Sequence, residues 1–218
     1  MKINSTLLIA WMTLVPFLGV SQYGFNKFIE IHTNLGYSND NAPVGQYLAP
    51  ALPENILIQE KSFVFARSAG ISLGYYLTKN FGIKASIGQL QFGFDFKGET
   101  LLTQTDVAST FKVTYVDLAF GLLFRKAITE NTKLISSLEY RINTDESPKS
   151  AVINLSTENA TSVSFYTGLE YPMYGNRFFA NLGFFGSYPL KTYNRPREFG
   201  NKYLPYFLGL RIGINFQF

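Results

Sequence analysis

The sequence predicts an all-β chain, an eight-stranded antiparallel transmembrane up-and-down β-barrel. Three observations carry this. Apolar residues recur with period two in eight segments. The connections between those segments alternate short and long. Only 16% of the 218 residues are charged, against 46% hydrophobic and 17% aromatic, whereas a soluble domain carries roughly 25% charged residues.

Composition also excludes whole classes. The absence of Cys removes disulfide scaffolds and thiolate metal centres. A single His, His32, leaves no multi-His zinc site. The net charge of +4 is mild and no Lys/Arg run occurs, so no nucleic-acid partner is expected. No motif calls for a cofactor or a metal.

Residues 1–21 read as a secretory signal peptide. Met1-Lys2 is the positive start, Leu7 to Val20 is the apolar run, and Gly19 and Ser21 are the small residues before a cut at Gln22. The run is too short for a spanning helix, which needs about 20 apolar residues, and Pro16 interrupts it. Residues 22–218 form one domain, with no linker or shift in composition.

The strands follow in order. Successive side chains of a strand point to opposite faces. Ile29, Ile31, Thr33, Leu35 and Tyr37 oppose Glu30, His32, Asn34 and Gly36. In 63–77, Ile71, Leu73, Tyr75 and Leu77 oppose Ser68, Gly70, Ser72 and Gly74. In 81–96, Phe81, Ile83, Ala85 and Ile87 oppose Gly82, Lys84 and Ser86, and then the apolar phase flips to Leu90, Phe92, Phe94 and Phe96. That flip suggests a β-bulge near Gly88-Gln89. Segments 111–126, 132–143, 161–171, 177–188 and 203–218 repeat the pattern. Tight turns are expected at 78–80, 127–131 and 172–176. Long polar loops are expected at 38–62, 97–110, 144–160 and 189–202, the rhythm of a membrane barrel.

The polar parity decides which face is outside. It is dominated by Gly, Ser, Ala and Asn with widely spaced charges. Such residues suit the crowded interior of an eight-stranded barrel better than a water-facing surface. The apolar parity therefore faces lipid, and a soluble lipocalin-like barrel is the competing architecture. Aromatic girdles are expected at both ends. Tyr75, Phe81, Phe124, Tyr171, Phe178, Phe216 and Phe218 would form the turn-side girdle. Phe63, Phe65, Phe94, Phe96, Phe111, Tyr188, Tyr203 and Tyr206 would form the loop-side one.

A leader ending before Gln22, eight such strands and a last strand ending in Phe218 resemble the small outer-membrane β-barrel proteins, OmpA/OmpX-like in architecture, and most of all the PorT-like group. The resemblance covers the whole mature chain through pattern rather than residue-specific motifs. It implies a place in the bacterial outer membrane, contact with outer-membrane lipid and lipopolysaccharide, and a monomer. It also implies that Phe218 is the assembly signal read by the barrel-assembly machinery. It implies no catalytic residue.

The inward parity offers Glu30, His32, Lys84, Asp117, Arg125, Glu139, Arg141, Glu170 and Arg211. Charges in a narrow lumen must be paired. Glu30 is expected to pair with Arg211 across the closing strands, at a depth shared with Lys84 and Glu139. Arg141 would extend the network and Asp117 would lie higher. This network fills the lumen in the leading reading, which is a structural or surface-interaction protein. A narrow channel for small or apolar solutes is the alternative. A lipid-modifying enzyme is weaker, because such a site needs a lipid-accessible nucleophile and His32 lies on the inward parity. The loops are the other place for function. Residues 38–62 hold Pro43, Pro50, Pro53 and the apolar Ile56-Leu57-Ile58, and 189–202 carry Lys191, Arg195, Arg197 and Lys202 against Glu198. That basic loop could contact lipopolysaccharide. Asn154 and Asn159 fit glycosylation acceptors in form only.

Overall fold

The computed structural model describes residues 27–40, 46–47, 56–146, 160–174, 177–190 and 205–218. The leader, the three loop prolines, the basic residues of 189–202, Tyr203 and the two asparagines lie outside the described residues.

Among the described residues, alternation of side chains produces ten strands: β1 Lys27–Asp40, β2 Gln46–Tyr47, β3 Ile56–Ser62, β4 Val64–Tyr76, β5 Phe81–Thr100, β6 Asp106–Ala127, β7 Lys133–Glu146, β8 Ala160–Tyr174, β9 Phe178–Pro189 and β10 Pro205–Gln217. They are hydrogen-bonded in the order β2-β3-β5-β4-β1-β10-β9-β8-β7-β6, and a β5–β6 pairing closes the ring. Eight strands, β1 and β4 to β10, make an antiparallel barrel. The β1–β10 seam joins the first strand to the last. Lys27 N–H donates to the Phe218 carbonyl at 3.1 Å, and Phe218 N–H to the Lys27 carbonyl at 2.9 Å. Closure matters because an open sheet edge leaves backbone polar groups unpaired.

Two tight turns share one device. Thr78 Oγ1 accepts from the N–H groups of Asn80 (3.3 Å) and Phe81 (3.0 Å). Thr129 Oγ1 accepts from Asn131 (3.3 Å) and Thr132 (3.0 Å) in the same way. A Thr hydroxyl thus stands in for a backbone acceptor and starts each turn.

Two expected loops are in part strand. Residues 97–110 continue the β5–β6 ladder up to Glu99↔Asp106, with a short turn at 101–105 in which Gln104 takes a φ of 54°. Within 38–62, β3 pairs with β5 from Ile56↔Thr100 to Ser62↔Asp95, and β2 pairs with β3. β4 meets β5 only up to Ser68↔Leu90. In the interval between these two ladders, the Ser38 hydroxyl of β1 donates to the Gly93 carbonyl at 2.9 Å and accepts from Gly93 N–H at 2.8 Å.

The expected bulge is absent. Pairing of β4 with β5 and of β5 with β6 runs through Gly88 and Gln89 without a register shift. Even-numbered residues of β5 point inward along its length, from Lys84 and Ser86 to Leu90, Phe92, Phe94 and Phe96. What changes at residue 88 is the chemistry of the two faces. Below it, Ile83 and Ile87 are exposed outside and Lys84 and Ser86 are buried inside. Above it, Gln91 and Asp95 lie on the outer parity, while the aromatic rings are buried. β6 switches in register, with Leu118 and Leu122 on the outer parity below and Thr110 and Lys112 above.

Phe94, Phe96 and Phe111 therefore do not belong to the loop-side girdle. They sit inside, at most 2% exposed, with Ile56, Ile58, Phe92, Tyr115 and Phe207. Phe63, Phe65 and Tyr188 are exposed on the outside, and Phe63 meets Tyr206 edge-on at 5.9 Å. On the turn side, Phe81 packs on Phe124 at 5.4 Å, and Phe178 on Phe216 at 4.9 Å.

Truncating Phe111, which is fully buried, should cost about 3–5 kcal/mol. Phe111→Ala is expected to lower the urea midpoint and to expose 91–112 to protease while the folded gel mobility of the barrel persists. Protection of 91–112 equal to wild type would contradict the buried upper core.

Candidate functional site

The polar parity converges in the lower and middle lumen, and the charged residues that the sequence places on the inward parity lie there. β5 carries Lys84, β6 Asp117, β7 Glu139 and Arg141, β10 Arg211, and β1 Glu30 and His32. All are buried.

Glu139 is the hub. Its carboxylate takes an ion pair from Lys84, one from Arg141 Nη2 at 2.6 Å and one from Arg211 Nη1 at 3.4 Å. Ser137 Oγ donates to it at 2.9 Å. Arg141 also pairs with Asp117, and its Nε donates to Ser164 Oγ at 2.6 Å. Arg211 Nε donates to Asn34 Oδ1 at 2.8 Å, and Asn34 in turn donates to Ser68. The guanidinium of Arg211 lies 4.6 Å from the Phe185 ring and 5.0 Å from that of Tyr166, and Arg141 reaches Phe185 at 5.1 Å. Room for these side chains comes from glycine. Arg211 is level with Gly183, which pairs with Gly168. A Cβ on Gly168 would strike the Tyr166 hydroxyl and the Leu182 carbonyl.

Glu30 does not pair with Arg211. The register sets Glu30 opposite Asn215 and sets Asn34 opposite Arg211, so the arginine lies four residues higher along β1. Glu30 instead accepts from Asn181 Nδ2 at 3.1 Å. Asp117 lies higher, opposite Asn143 and four residues above Glu139 along β7, and Arg141 ties it to Glu139. His32 Nδ1 lies 3.4 Å from Ser72 Oγ, which bonds Ser86 Oγ at 2.7 Å.

Glu170 anchors a second cluster toward the turn end. It accepts from Asn215 at 3.1 Å and Gln217 at 3.2 Å, with Lys133 at 3.5 Å and Arg125 at 4.0 Å. Arg125 stacks on Tyr76 at 3.8 Å. Beside it the inward residues Phe28, Leu123, Ile135 and Phe179 are buried. Sequence reasoning missed one buried pair. Lys61 donates to Asp40 at 2.6 Å and lies 5.1 Å from the Phe94 ring. Both residues fell in a stretch read as loop. The Ile56–Ile58 alternation was the signal that a strand runs there.

From the turn end upward, the lumen thus holds a mixed layer in which apolar residues surround the Glu170 cluster, then the Glu139 network, then an aromatic layer. Among the described residues no group of three or more metal-ligating side chains occurs. Among the described residues no helix is long and apolar enough to cross a membrane, which says nothing of strands.

No protein-family model matches the chain, and no curated protein matches it. Solved structures do. Neisserial surface protein A is 11% identical, with 87% of this chain and 97% of that one aligned at a TM-score of 0.52. The chain has the fold of the small outer-membrane β-barrels. Looser likenesses are the N-terminal β-barrel domain of Pseudomonas aeruginosa OprF (17% identity, 89% and 100% covered, TM-score 0.43) and AlkL determined in lipid bilayers (14%, 92% and 93%, 0.46). At these identities the likeness speaks to the fold and not to a ligand.

Removing the hub should be the most damaging change in the lumen. Glu139→Ala leaves three buried cations short of a counter-charge, and breaking a buried pair costs about 3–5 kcal/mol. Urea unfolding should show that loss for Glu139→Ala and a clearly smaller one for Glu30→Gln. Equal losses would refute the hub.

Proposed function

We propose that the chain is an integral barrel of the bacterial outer membrane with a structural or surface-interaction role, a filled lumen and no catalytic activity. The PorT-like likeness seen in its sequence is part of that reading. One observation carries it, the uncharged apolar belt around the outside. Leu118, Phe120, Leu122, Ile83, Ile87, Leu138, Phe165, Leu182, Leu210 and Ile212 all lie on the outward parity. On β6 the belt runs from Val116 to Phe124, close to the roughly 9–11 residues a tilted strand needs to span a bilayer. In water such a surface would aggregate. In lipid it is what insertion requires, since one Lys or Arg at the midplane costs about 2–4 kcal/mol.

The filled lumen supports a non-conducting barrel. Arg141 and Arg211 are at most 1% exposed, with the Glu170 cluster and its apolar neighbours beneath them and an aromatic layer above. His32 faces this interior, away from any lipid substrate, which supports a structural histidine rather than a general base. Contact with lipopolysaccharide and recognition of Phe218 during assembly belong to the same proposal.

Single cysteines at Leu118, Leu210 and Ile212 should react with a bilayer-restricted reagent, and cysteines at Asp95 and Lys112 with a water-borne one. The reverse pattern would exclude the membrane reading. Planar bilayers holding the wild type should carry no steady current. Discrete openings that vanish in Arg211→Ala would favour the channel instead.

A further inference from the structure

Above the belt, β6 has one edge that no described strand covers. β5 pairs with β6 as far as Asp106, but β7 pairs with it only from Thr114 downward. Gly93 shows which way the backbone groups of β6 point. Its N–H and its carbonyl both bond the Ser38 hydroxyl, on the side away from β6. Gly93↔Lys112 is therefore a pair without mutual hydrogen bonds, and the Lys112 N–H and carbonyl point away from β5. The register runs on without a shift to Glu99↔Asp106, so Thr110, Ala108 and Asp106 present theirs in the same direction. Such a row of donors and acceptors is a template for another strand.

The two charges at the ends of this edge are unmatched. Asp106 stands directly opposite Glu99, and like charges so placed destabilise a sheet. Lys112 stands opposite Gly93, which offers it no charge. Among the described residues neither forms an ion pair. Their spacing makes the edge complementary to itself. Turned about a twofold axis through Ser109, a second β6 runs antiparallel to the first. Asp106 then faces the second copy's Lys112 on the same side of the joined sheet, Ala108 faces its Thr110, and Ser109 faces its counterpart. The four residues whose backbone groups point to the edge all fall in hydrogen-bonded pairs of that register.

We infer that this edge is a docking surface for a second copy of the chain, joined antiparallel through 106–112. The inference names a partner for the surface-interaction role proposed above and rests on that reading. Orientation follows from the direction of β6, which descends from Asp106 into the belt at Val116. The belt of an antiparallel partner lies at the opposite end, so the two barrels stand head to head in opposed membranes. Val116 is seven residues below Ser109, and at a rise of about 3.4 Å and a tilt of about 40° the two belts lie roughly 40 Å apart. Barrels upright in one membrane present parallel strands instead, which in register set Asp106 beside Asp106 and Lys112 beside Lys112. The charges thus select the opposed arrangement.

The chain has no Cys, so S109C introduces a single thiol. It is refolded into lipid nanodiscs holding one barrel each, which forbids contact within one membrane. Mild oxidation should link barrels of separate discs through S109C, since facing Cα atoms of a pair without hydrogen bonds lie about 4.5 Å apart, within disulfide range. K97C, at the more exposed site, should stay unlinked. Analytical ultracentrifugation of the discs reads the charges. D106K and K112D each set like charge opposite like and should weaken the pairing about tenfold. An equimolar mixture of the two should pair as the wild type does, because each supplies the charge that the other lacks. Heat-dependent gel mobility reports insertion separately. A wild type that fails to insert overturns the membrane reading and the opposed arrangement with it. Inserted S109C that stays single overturns this inference alone, and is the outcome expected where residues 147–159 of the same chain cover the edge. So does K97C that links as fast as S109C, or a mixture that pairs no better than its components.

Discussion

A strand leaving acyl chains for water must exchange its two faces without changing its pleat. Inside a bilayer the outward side chain meets lipid and the inward one meets a narrow lumen. Above the headgroups the outward side chain meets water, and only the interior can shelter apolar rings. The backbone keeps its period of two throughout. The exchange must therefore be made by residue type alone, and β5 and β6 make it at the same height. On β5 the inward series passes from Lys84 and Ser86 to Phe92 and Phe94. The hairpin above the boundary then behaves as a small soluble β-structure. It has its own aromatic core, and β3 adds a strand to its edge.

The charged layer below solves a different problem. Alternation alone forbids a slip of one residue, because that would turn Lys84, Arg141 and Arg211 toward lipid. It does not forbid a slip of two, which returns every side chain to its own face. Such a slip moves partners by about 7 Å along the strand, beyond the reach of an ion pair. Glu139 joins β7 to β5 and β10, and Arg141 joins it to β6 and β8. The network thus fixes the one degree of freedom that the apolar pattern leaves open. A buried ionic cluster is weak evidence for stability. Its effect on register gives a physical reason for placing five charges inside so narrow a cylinder.

Strand number, order and inward parity were legible in the sequence because each depends on local alternation. The departures have three causes. Apolar residues were assigned to the outside along the whole strand, so the change of phase after Gly88 resembled a bulge, and Phe94, Phe96 and Phe111 resembled a girdle. The assignment holds only below the headgroups. Glu30 and Arg211 were matched by approximate depth, but stagger around a tilted ring sets Asn34 opposite Arg211. Stagger follows from strand tilt and the shear of the closed sheet, neither of which a single strand's sequence displays. Asp40 and Lys61 were hidden for a third reason. Their pairing needs β3 to lie along β5, a long-range contact with no local signature.

A lumen filled in three layers confines chemistry to the exterior. The outside of the barrel consists of two rims and a belt. The belt is uniform and apolar and recognises nothing finer than hydrocarbon. Selectivity must then reside at the rims, where side chains of differing charge meet headgroups, saccharide or protein. The turn-end rim is built from short, bonded turns, such as those started by Thr78 and Thr129. The opposite end projects a stiff hairpin whose outer stripe is polar and mixed in sign. The two rims thus differ in chemistry, short bonded turns at one end and a polar stripe of mixed sign at the other.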